Sequence, residues 1–205
     1  NVLLLKFAQK NREAESTIIS DYLEKLGINI KELPNRKNIF AEGGEFYYCH
    51  KDKILFSGIK RNSIRGAEEV ASFLNVNELI LIKTEAFHLD TVFTTIMDQH
   101  GRLCAVIVCK DLISKDSFDL LNKFSDLNNI KIINIPPIDS IGTNNNIGSL
   151  AVNNFSAPGL LISSSRFSEP FVAKYLNSKN IKMETTPVSQ FQLSGGSIHC
   201  LTNEL

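Results

Sequence analysis

Short apolar runs alternate along the chain with segments in which apolar residues recur every three or four positions. The first pattern predicts β-strands and the second predicts amphipathic α-helices. Strands are predicted at residues 2–8, 28–33, 46–49, 53–56, 78–82, 92–97, 103–109, 130–135, 150–154, 160–163 and 181–185, with a closing strand from about residue 197. Helices are predicted at residues 12–26, 64–74, 117–127 and 169–178. Gly27, Ser114 and Pro170 stand where helices end or begin, which supports these bounds.

The order of the predicted elements repeats along the chain. Strand, strand, helix and strand follow one another, and the units open near residues 46, 92, 150 and 197, about fifty residues apart. This period predicts an α/β propeller with its units around an axis, and an ordinary α/β sandwich is the alternative. A polar stretch at residues 139–149 interrupts the pattern, and a loop of this length either covers a site or is a disordered connection.

Composition narrows the class of protein. The 205 residues are 43% hydrophobic, and Lys plus Arg and Asp plus Glu both number 22. No basic stripe stands out, so we expect no nucleic-acid partner. The longest apolar runs, such as 79–82 and 159–162, are far shorter than the roughly 18 residues of a membrane-spanning helix, and no secretory cleavage site is visible. We therefore expect a single cytoplasmic domain without membrane contact.

Four cysteines, Cys49, Cys104, Cys109 and Cys200, lack C-x-x-C spacing and are too few for a disulfide scaffold in a chain of this size. The first three lie in apolar strands, where buried and inert thiols are usual. Cys200 follows a Gly-Gly turn near the C-terminus of the sequence. It could be a nucleophile activated by a histidine elsewhere in the chain, or another inert cysteine in a strand.

Two further segments carry candidate chemistry. In residues 42–45, EGGE, two glycines allow a tight turn with a carboxylate on either side, although such sequences are also common in solvated turns. In residues 88–90, HLD, an extended backbone would place His88 and Asp90 on one face. The carboxylate could then orient the imidazole or hold a cationic substrate beside it, and a surface pair is the alternative.

Together these segments resemble the motifs of the guanidine-modifying enzyme superfamily, which includes arginine deiminases, agmatine deiminases, amidinotransferases and dimethylarginine dimethylaminohydrolases. Residues 88–93, HLDTVF, look like the histidine motif of arginine deiminases, and residues 195–202, GGSIHCLT, are similar to the nucleophile motif of the deiminases. Residues 42–45 stand where the hydrolases carry Glu-Gly-Gly-Asp or Glu-Gly-Gly-Asn, and residues 61–68, RNSIRGAE, resemble an arginine-rich segment of the dimethylarginine enzymes. The resemblance covers almost the whole chain and implies the pentein fold, an α/β propeller with a central active site.

The resemblance also implies a mechanism. Cys200 would be the nucleophile that attacks the guanidinium carbon and forms a covalent thiouronium intermediate. His88 would be the general acid and base, with Glu42 holding its imidazole. Asp90 and Glu42 would bind the planar guanidinium cation, whose N–H groups match carboxylate oxygens. We expect no cofactor and no metal.

The substrate is harder to assign from the sequence. Dimethylarginine enzymes typically have lysine at the position of Asp90, and a carboxylate there favours a free guanidinium, so hydrolysis of arginine to citrulline and ammonia is the leading hypothesis. Arg61 would bind the α-carboxylate, unless it is a solvated turn residue, and Glu45 would border the substrate. A dimethylarginine dimethylaminohydrolase and an amidinotransferase are alternatives, and a pentein-fold ribosome-binding factor is the non-enzyme alternative. A homo-oligomer is compatible with the sequence.

The first unit has a single strand before its helix, whereas the later units have two. The pentein fold needs five units, and the sequence contains three full ones, a shortened first one and a closing strand. We therefore expect the natural protein to continue at its N-terminus by roughly one unit and a strand.

Overall fold

The structure is a computed structural model that describes residues 2–34 and 38–202. The strands are β1 (Val2–Leu4), β2 (Ile30–Glu32), β3 (Phe46–Cys49), β4 (Ile54–Gly58), β5 (Glu78–Ile82), β6 (Phe93–Met97), β7 (Leu103–Val108), β8 (Lys131–Asn134), β9 (Gly142–Thr143), β10 (Asn146–Ile147), β11 (Phe155–Ala157), β12 (Leu160–Ser163) and β13 (Lys182–Thr185). The helices are α1 (Glu13–Lys25), α2 (Ile64–Leu74), α3 (Lys115–Asn128), α4 (Pro170–Ser178) and the short α5 (Ser189–Gln192).

Three units have the same topology, as the repeat predicted. In each, the first two strands form an antiparallel pair, and a helix then leads to a third strand parallel to the second. The sheets are β3-β4-β5, β6-β7-β8 and β11-β12-β13. The preceding unit has the parallel pair β1-β2, joined through α1. The α/β class is therefore confirmed, and the described strands form separate small sheets rather than one closed sheet.

The helices end in a consistent way. A residue in the left-handed backbone conformation follows each of the four long helices: Gly27 (φ 72°), Asn75 (φ 51°), Asn129 (φ 52°) and Asn180 (φ 55°). Glycine and asparagine adopt this conformation most readily, so the sequence encodes where each helix stops. At the other end, Ser114 accepts a hydrogen bond from the Ser117 N–H and caps α3 as predicted.

Two predicted strands were wrong. Residues 150–154 form a turn held by backbone hydrogen bonds, and the first strand of the last unit begins at Phe155 instead. The segment from Ser197 continues into the short 3₁₀ helix His199–Leu201 rather than a closing strand. In the predicted polar loop, β9 and β10 form a small antiparallel hairpin. The propeller axis stays a prediction.

The main hydrophobic core connects the three repeated units, and a second, smaller cluster includes Leu33, Ile39 and Leu55. β6 contacts β3 on one side and β11 on the other. Phe56 and Phe93 are fully buried there, with ring centroids 5.1 Å apart. Within the described part of the chain, no helix is long and apolar enough to cross a membrane.

Candidate active site

His88 and Glu42 form a buried pair. His88 lies in the segment just before β6, and Glu42 lies in the segment just before β3. The His88 Nε2 and Glu42 Oε2 atoms are 2.8 Å apart, and both residues are buried. The other oxygen, Glu42 Oε1, accepts the Ala8 N–H at 3.0 Å. Burial alone would raise the pKa of Glu42, but the hydrogen bonds to His88 and Ala8 hold it below its ordinary value. Glu42 is therefore a carboxylate that fixes the imidazole through Nε2 and leaves Nδ1 for other contacts.

Asp90 is fully buried and lies in the short 3₁₀ helix Leu89–Thr91, not in the extended segment that the sequence predicted. His88 precedes this helix with extended backbone angles. Asp90 Oδ2 is 3.1 Å from His199 Nδ1 and 3.4 Å from the Cys200 sulfur. Asp90 Oδ1 is buried and has no hydrogen-bond partner among the residues described. A buried carboxylate oxygen without a donor is costly, so this atom is suited to accept N–H groups from a bound cation.

Cys200 lies in the 3₁₀ helix His199–Leu201, which follows the glycine turn at Gly195 (φ 82°). The residue as a whole is solvent-exposed, while its sulfur lies 3.3 Å from Asn153 Nδ2 and 3.4 Å from Asp90 Oδ2. Burial and, second to it, the negative charge of Asp90 raise the pKa of the Cys200 thiol to about 11. Without a ligand the sulfur is therefore a protonated thiol at neutral pH. A cation placed beside Asp90 would favour the thiolate.

Gly44 shows how closely these groups approach each other. A Cβ atom at Gly44 would lie 2.8 Å from His88 Nδ1 and 3.0 Å from Asp90 Oδ2. The His88 Nδ1 atom and the Asp90 carboxylate therefore face the same small space, next to the Cys200 sulfur. Three segments that are far apart in the sequence, 42–45, 88–90 and 199–200, meet at this point.

Glu45 is fully buried and contacts backbone groups. Its Oε1 atom accepts the Arg61 N–H at 2.6 Å, and its Oε2 atom accepts the Leu89 N–H at 2.9 Å. Burial raises the pKa of Glu45 above its ordinary value, against the effect of these two donors. The geometry favours a carboxyl group that holds the two loops in place, and the predicted contact with substrate stays a prediction.

Arg61 lies at the rim of the site and is half-buried. Its guanidinium carbon is 4.3 Å from the centre of the Phe87 ring, which precedes His88. Stacking on an aromatic face orients an arginine side chain. The Gln9 carboxamide oxygen accepts from Arg61 Nη1 at 2.7 Å and Nη2 at 3.2 Å, so a substrate carboxylate would compete with Gln9 for these groups. Binding of a substrate carboxylate by Arg61 stays a prediction.

Three side chains at the site were not found from the sequence. Asn153 donates to the Cys200 sulfur at 3.3 Å, His199 contacts Asp90, and Tyr47 stacks on the His199 ring with centroids 4.6 Å apart. In the sequence, His199 stands out only as part of the motif at residues 195–202. Asn153 was assigned to a strand, and nothing in its local sequence distinguishes it from Asn154.

Within residues 2–34 and 38–202, no group of three or more His, Cys, Asp or Glu side chains is arranged to hold a metal ion. The arrangement comprises a thiol, an imidazole held by one carboxylate, and a second carboxylate with one oxygen that accepts no hydrogen bond from the described residues. It is suited to covalent catalysis on a planar cation.

This site and the repeated α/β units define a guanidine-modifying enzyme of the pentein fold. A family model described as N,N dimethylarginine dimethylhydrolase, eukaryotic, matches residues 1–205, so the chain belongs to that family. No curated protein sequence matches the chain.

Solved structures share the fold. The N-terminal domain of ArgZ, described as an arginine dihydrolase from the ornithine-ammonia cycle in cyanobacteria and solved as a mutant bound to substrate, has a TM-score of 0.79 and 21% identity, over 99% of this chain and 70% of that chain. AgrE in a ternary complex with ornithine and NAD+ has a TM-score of 0.79 and 20% identity, over 98% of this chain and 28% of that chain. A dimethylarginine dimethylaminohydrolase adduct with 4-chloro-2-hydroxymethylpyridine has a TM-score of 0.68 and 14% identity, over 97% of this chain and 70% of that chain.

Proposed function

We propose that the protein hydrolyses the guanidinium group of arginine or a close relative, giving citrulline and ammonia from arginine. The observation that carries this proposal is the position of Asp90. Its carboxylate is fully buried beside the Cys200 sulfur, and one of its oxygens has no donor within the described chain. A guanidinium bound to that oxygen would hold its central carbon next to the nucleophile.

The first half of the reaction forms a covalent intermediate. Binding of the cation beside the sulfur lowers the pKa of Cys200 from the value of about 11 that burial and Asp90 impose without ligand. The Cys200 thiol passes its proton to His88, and the thiolate attacks the guanidinium carbon and forms an S–C bond. His88 donates a proton to the departing nitrogen, the C–N bond breaks, and ammonia leaves a thiouronium group on the sulfur.

The second half releases the product. His88 Nδ1 faces the same space as Asp90 Oδ2, and it accepts a proton from a water molecule that attacks the thiouronium carbon. The S–C bond then breaks, the hydroxyl proton of the product passes to the departing sulfur, the neutral ureido product leaves, and His88 releases its proton to solvent. Glu42, bound to His88 Nε2 at 2.8 Å, keeps the imidazole oriented and stabilises its protonated form during both steps.

The proposed function is tested by product analysis. The protein is incubated with arginine, monomethylarginine, asymmetric dimethylarginine, agmatine and a peptide containing arginine, and citrulline, ammonia and methylamines are measured. Citrulline and ammonia from arginine, at the highest kcat/KM of the panel, are expected. Release of no amine from any of these compounds would contradict the proposal.

Hydrolysis of dimethylarginine is the second candidate. The specific observation in its favour is the family model, whose description names N,N-dimethylarginine and which matches residues 1–205. Citrulline and dimethylamine, formed faster from asymmetric dimethylarginine than citrulline and ammonia from arginine, would favour this candidate. The covalent mechanism would be unchanged, because only the leaving group differs.

We expect Gly44→Ala to reduce kcat/KM by about tenfold or more, since displacement of reacting groups by less than 1 Å has large effects on rate. The added Cβ would lie 2.8 Å from His88 Nδ1, so the imidazole must move. Gly43→Ala is the matched control, because a Cβ at Gly43 would meet no described atom within 4 Å. Equal activity of the two variants would show that the close approach at Gly44 is unimportant.

Arg61→Ala should reduce kcat/KM for arginine by about 10- to 100-fold, which corresponds to the loss of a hydrogen bond to a charged group. Agmatine lacks the α-carboxylate, so its turnover should change little. The comparison of the two substrates in one variant controls for any general disturbance of the Arg61 and Phe87 contact. Equal losses with both substrates would assign Arg61 a structural role.

A further inference from the structure

Asn153 is a fully buried residue in the turn before β11, and its side chain contacts Cys200 at two atoms. The carboxamide nitrogen Nδ2 is 3.3 Å from the Cys200 sulfur. The carboxamide oxygen Oδ1 accepts the Cys200 backbone N–H at 3.4 Å. The Asn153 backbone oxygen also accepts the His199 N–H at 3.4 Å. One residue of the last unit therefore holds the turn that carries the nucleophile.

We propose that Asn153 is a positioning residue for the nucleophile, which fixes the Cys200 sulfur next to Asp90 and donates a hydrogen bond to it in the thiolate form. The inference rests on the proposed function in so far as it takes Cys200 to be the nucleophile. The effect of this contact on the reactivity of the Cys200 thiol can be measured without any substrate.

The orientation of the amide follows from its two partners. The Oδ1 atom faces a backbone N–H, which is only a donor, so the NH₂ group must be the one that faces the sulfur. An N–H donor binds a thiolate more strongly than a thiol, because the hydrogen bond is then charge-assisted. Asn153 therefore favours the charged form of the sulfur.

Among the other groups around the sulfur, a backbone hydrogen bond from Ser197 also lowers the pKa of Cys200. Burial and the Asp90 carboxylate both raise the pKa of Cys200. Tyr47 is buried nearby, and its hydroxyl stays protonated because its pKa lies well above the ordinary value. His199 affects the Cys200 sulfur through Asp90, because its Nδ1 atom contacts Asp90 Oδ2 at 3.1 Å. Among these described neighbours, Asn153 is the side chain that donates to the sulfur.

Asn154 provides a matched control. It is the next residue, it is equally buried, and its side chain is also fully used in hydrogen bonds. Its Nδ2 atom donates to the backbone oxygens of Ala151 and Val152, and its Oδ1 atom accepts from Thr94. Replacement of either asparagine by alanine removes a buried amide from the same turn, but only Asn153 contacts Cys200.

The test measures alkylation of Cys200 by iodoacetamide in the absence of substrate, between about pH 7.5 and 9, with mass spectrometry of the peptide that contains Cys200. Only the thiolate reacts, so a rise of one pKa unit slows the reaction about tenfold at a fixed pH in this range. We expect Asn153→Ala to be about tenfold slower than the natural protein, and Asn153→Asp, which places a like charge beside the sulfur, to be slower still. Asn154→Ala should stay within about twofold.

The direction of the change in alkylation rate distinguishes a raised thiol pKa from easier access of iodoacetamide to the sulfur. Removal of the Asn153 side chain opens space around the sulfur, which by itself would speed alkylation. An unchanged or faster rate in folded Asn153→Ala would overturn the proposal, and so would an equal slowing in Asn154→Ala. Loss of the folded state in both Asn153 variants, measured by circular dichroism, would show a purely structural role and would overturn it as well. If no guanidine compound is hydrolysed but the slowing is found, the proposed function fails and this inference stands.

Discussion

Replacement of Cys200 by alanine is expected to abolish turnover and leave the fold intact. Without the sulfur no S–C bond can form, and water is a far weaker nucleophile, so we expect kcat to fall by at least roughly 10⁴-fold. The residue is solvent-exposed and precedes the end of the described chain by two residues. Its side chain is small, so the unfolding temperature should change by no more than a few degrees. Production of citrulline and ammonia is the measurement.

Cys104→Ala is the control for this prediction. Cys104 is half-buried in β7, and its thiol donates to the Ile96 carbonyl at 3.4 Å instead of contacting the site. That variant should keep its activity. A haloacetamidine, which imitates the cationic substrate, should label Cys200 much faster than Cys104. Substantial activity in Cys200→Ala would refute the covalent mechanism and would reopen the non-enzyme alternative.

The repeat could be predicted from the sequence because each unit carries its own local information. Apolar strands alternate with amphipathic helices, and a glycine or asparagine follows each long helix. The strand predicted at 150–154 was wrong because an apolar run does not show which backbone groups pair. The turn there exposes no apolar surface either, since Leu150, Ala151 and Val152 are buried. A buried turn of this kind has the same apolar sequence pattern as a β-strand.

The site was predictable to the extent that its residues stand in short motifs. His88, Asp90 and Cys200 were found in this way, and the structure brings their side chains to one place. Asn153 was missed because its relation to Cys200 arises only when a turn of the last unit packs against the C-terminal segment, 47 residues away. The role of Glu45 was also not evident, because its two partners are backbone N–H groups. Contacts of this kind leave no pattern in the sequence.

Asp90→Asn should have opposite effects on turnover and on the reactivity of the free thiol. The amide keeps the shape of the carboxylate but loses the charge that pairs with a guanidinium, a change that costs about 2–5 kcal/mol, so kcat/KM for arginine should fall by roughly 30- to 5,000-fold. The same loss of charge removes a group that raises the pKa of Cys200. Alkylation of Cys200 without substrate should therefore become faster. A variant in which both rates fall would indicate general damage to the site.

The same variant tests which substrate Asp90 selects. If the unoccupied Oδ1 atom accepts N–H groups from a terminal nitrogen of the substrate, two methyl groups on that nitrogen remove its donors and crowd the carboxylate. Arginine should then have a much higher kcat/KM than asymmetric dimethylarginine in the natural protein, and this ratio should approach one in Asp90→Asn. If this ratio of kcat/KM values is the same in Asp90→Asn and in the natural protein, Asp90 does not face the nitrogen that carries the methyl groups. A preference for dimethylarginine in the natural protein would instead indicate that the methylated nitrogen lies away from Asp90 and is the leaving group. The protein would then be assigned the hydrolysis of dimethylarginine.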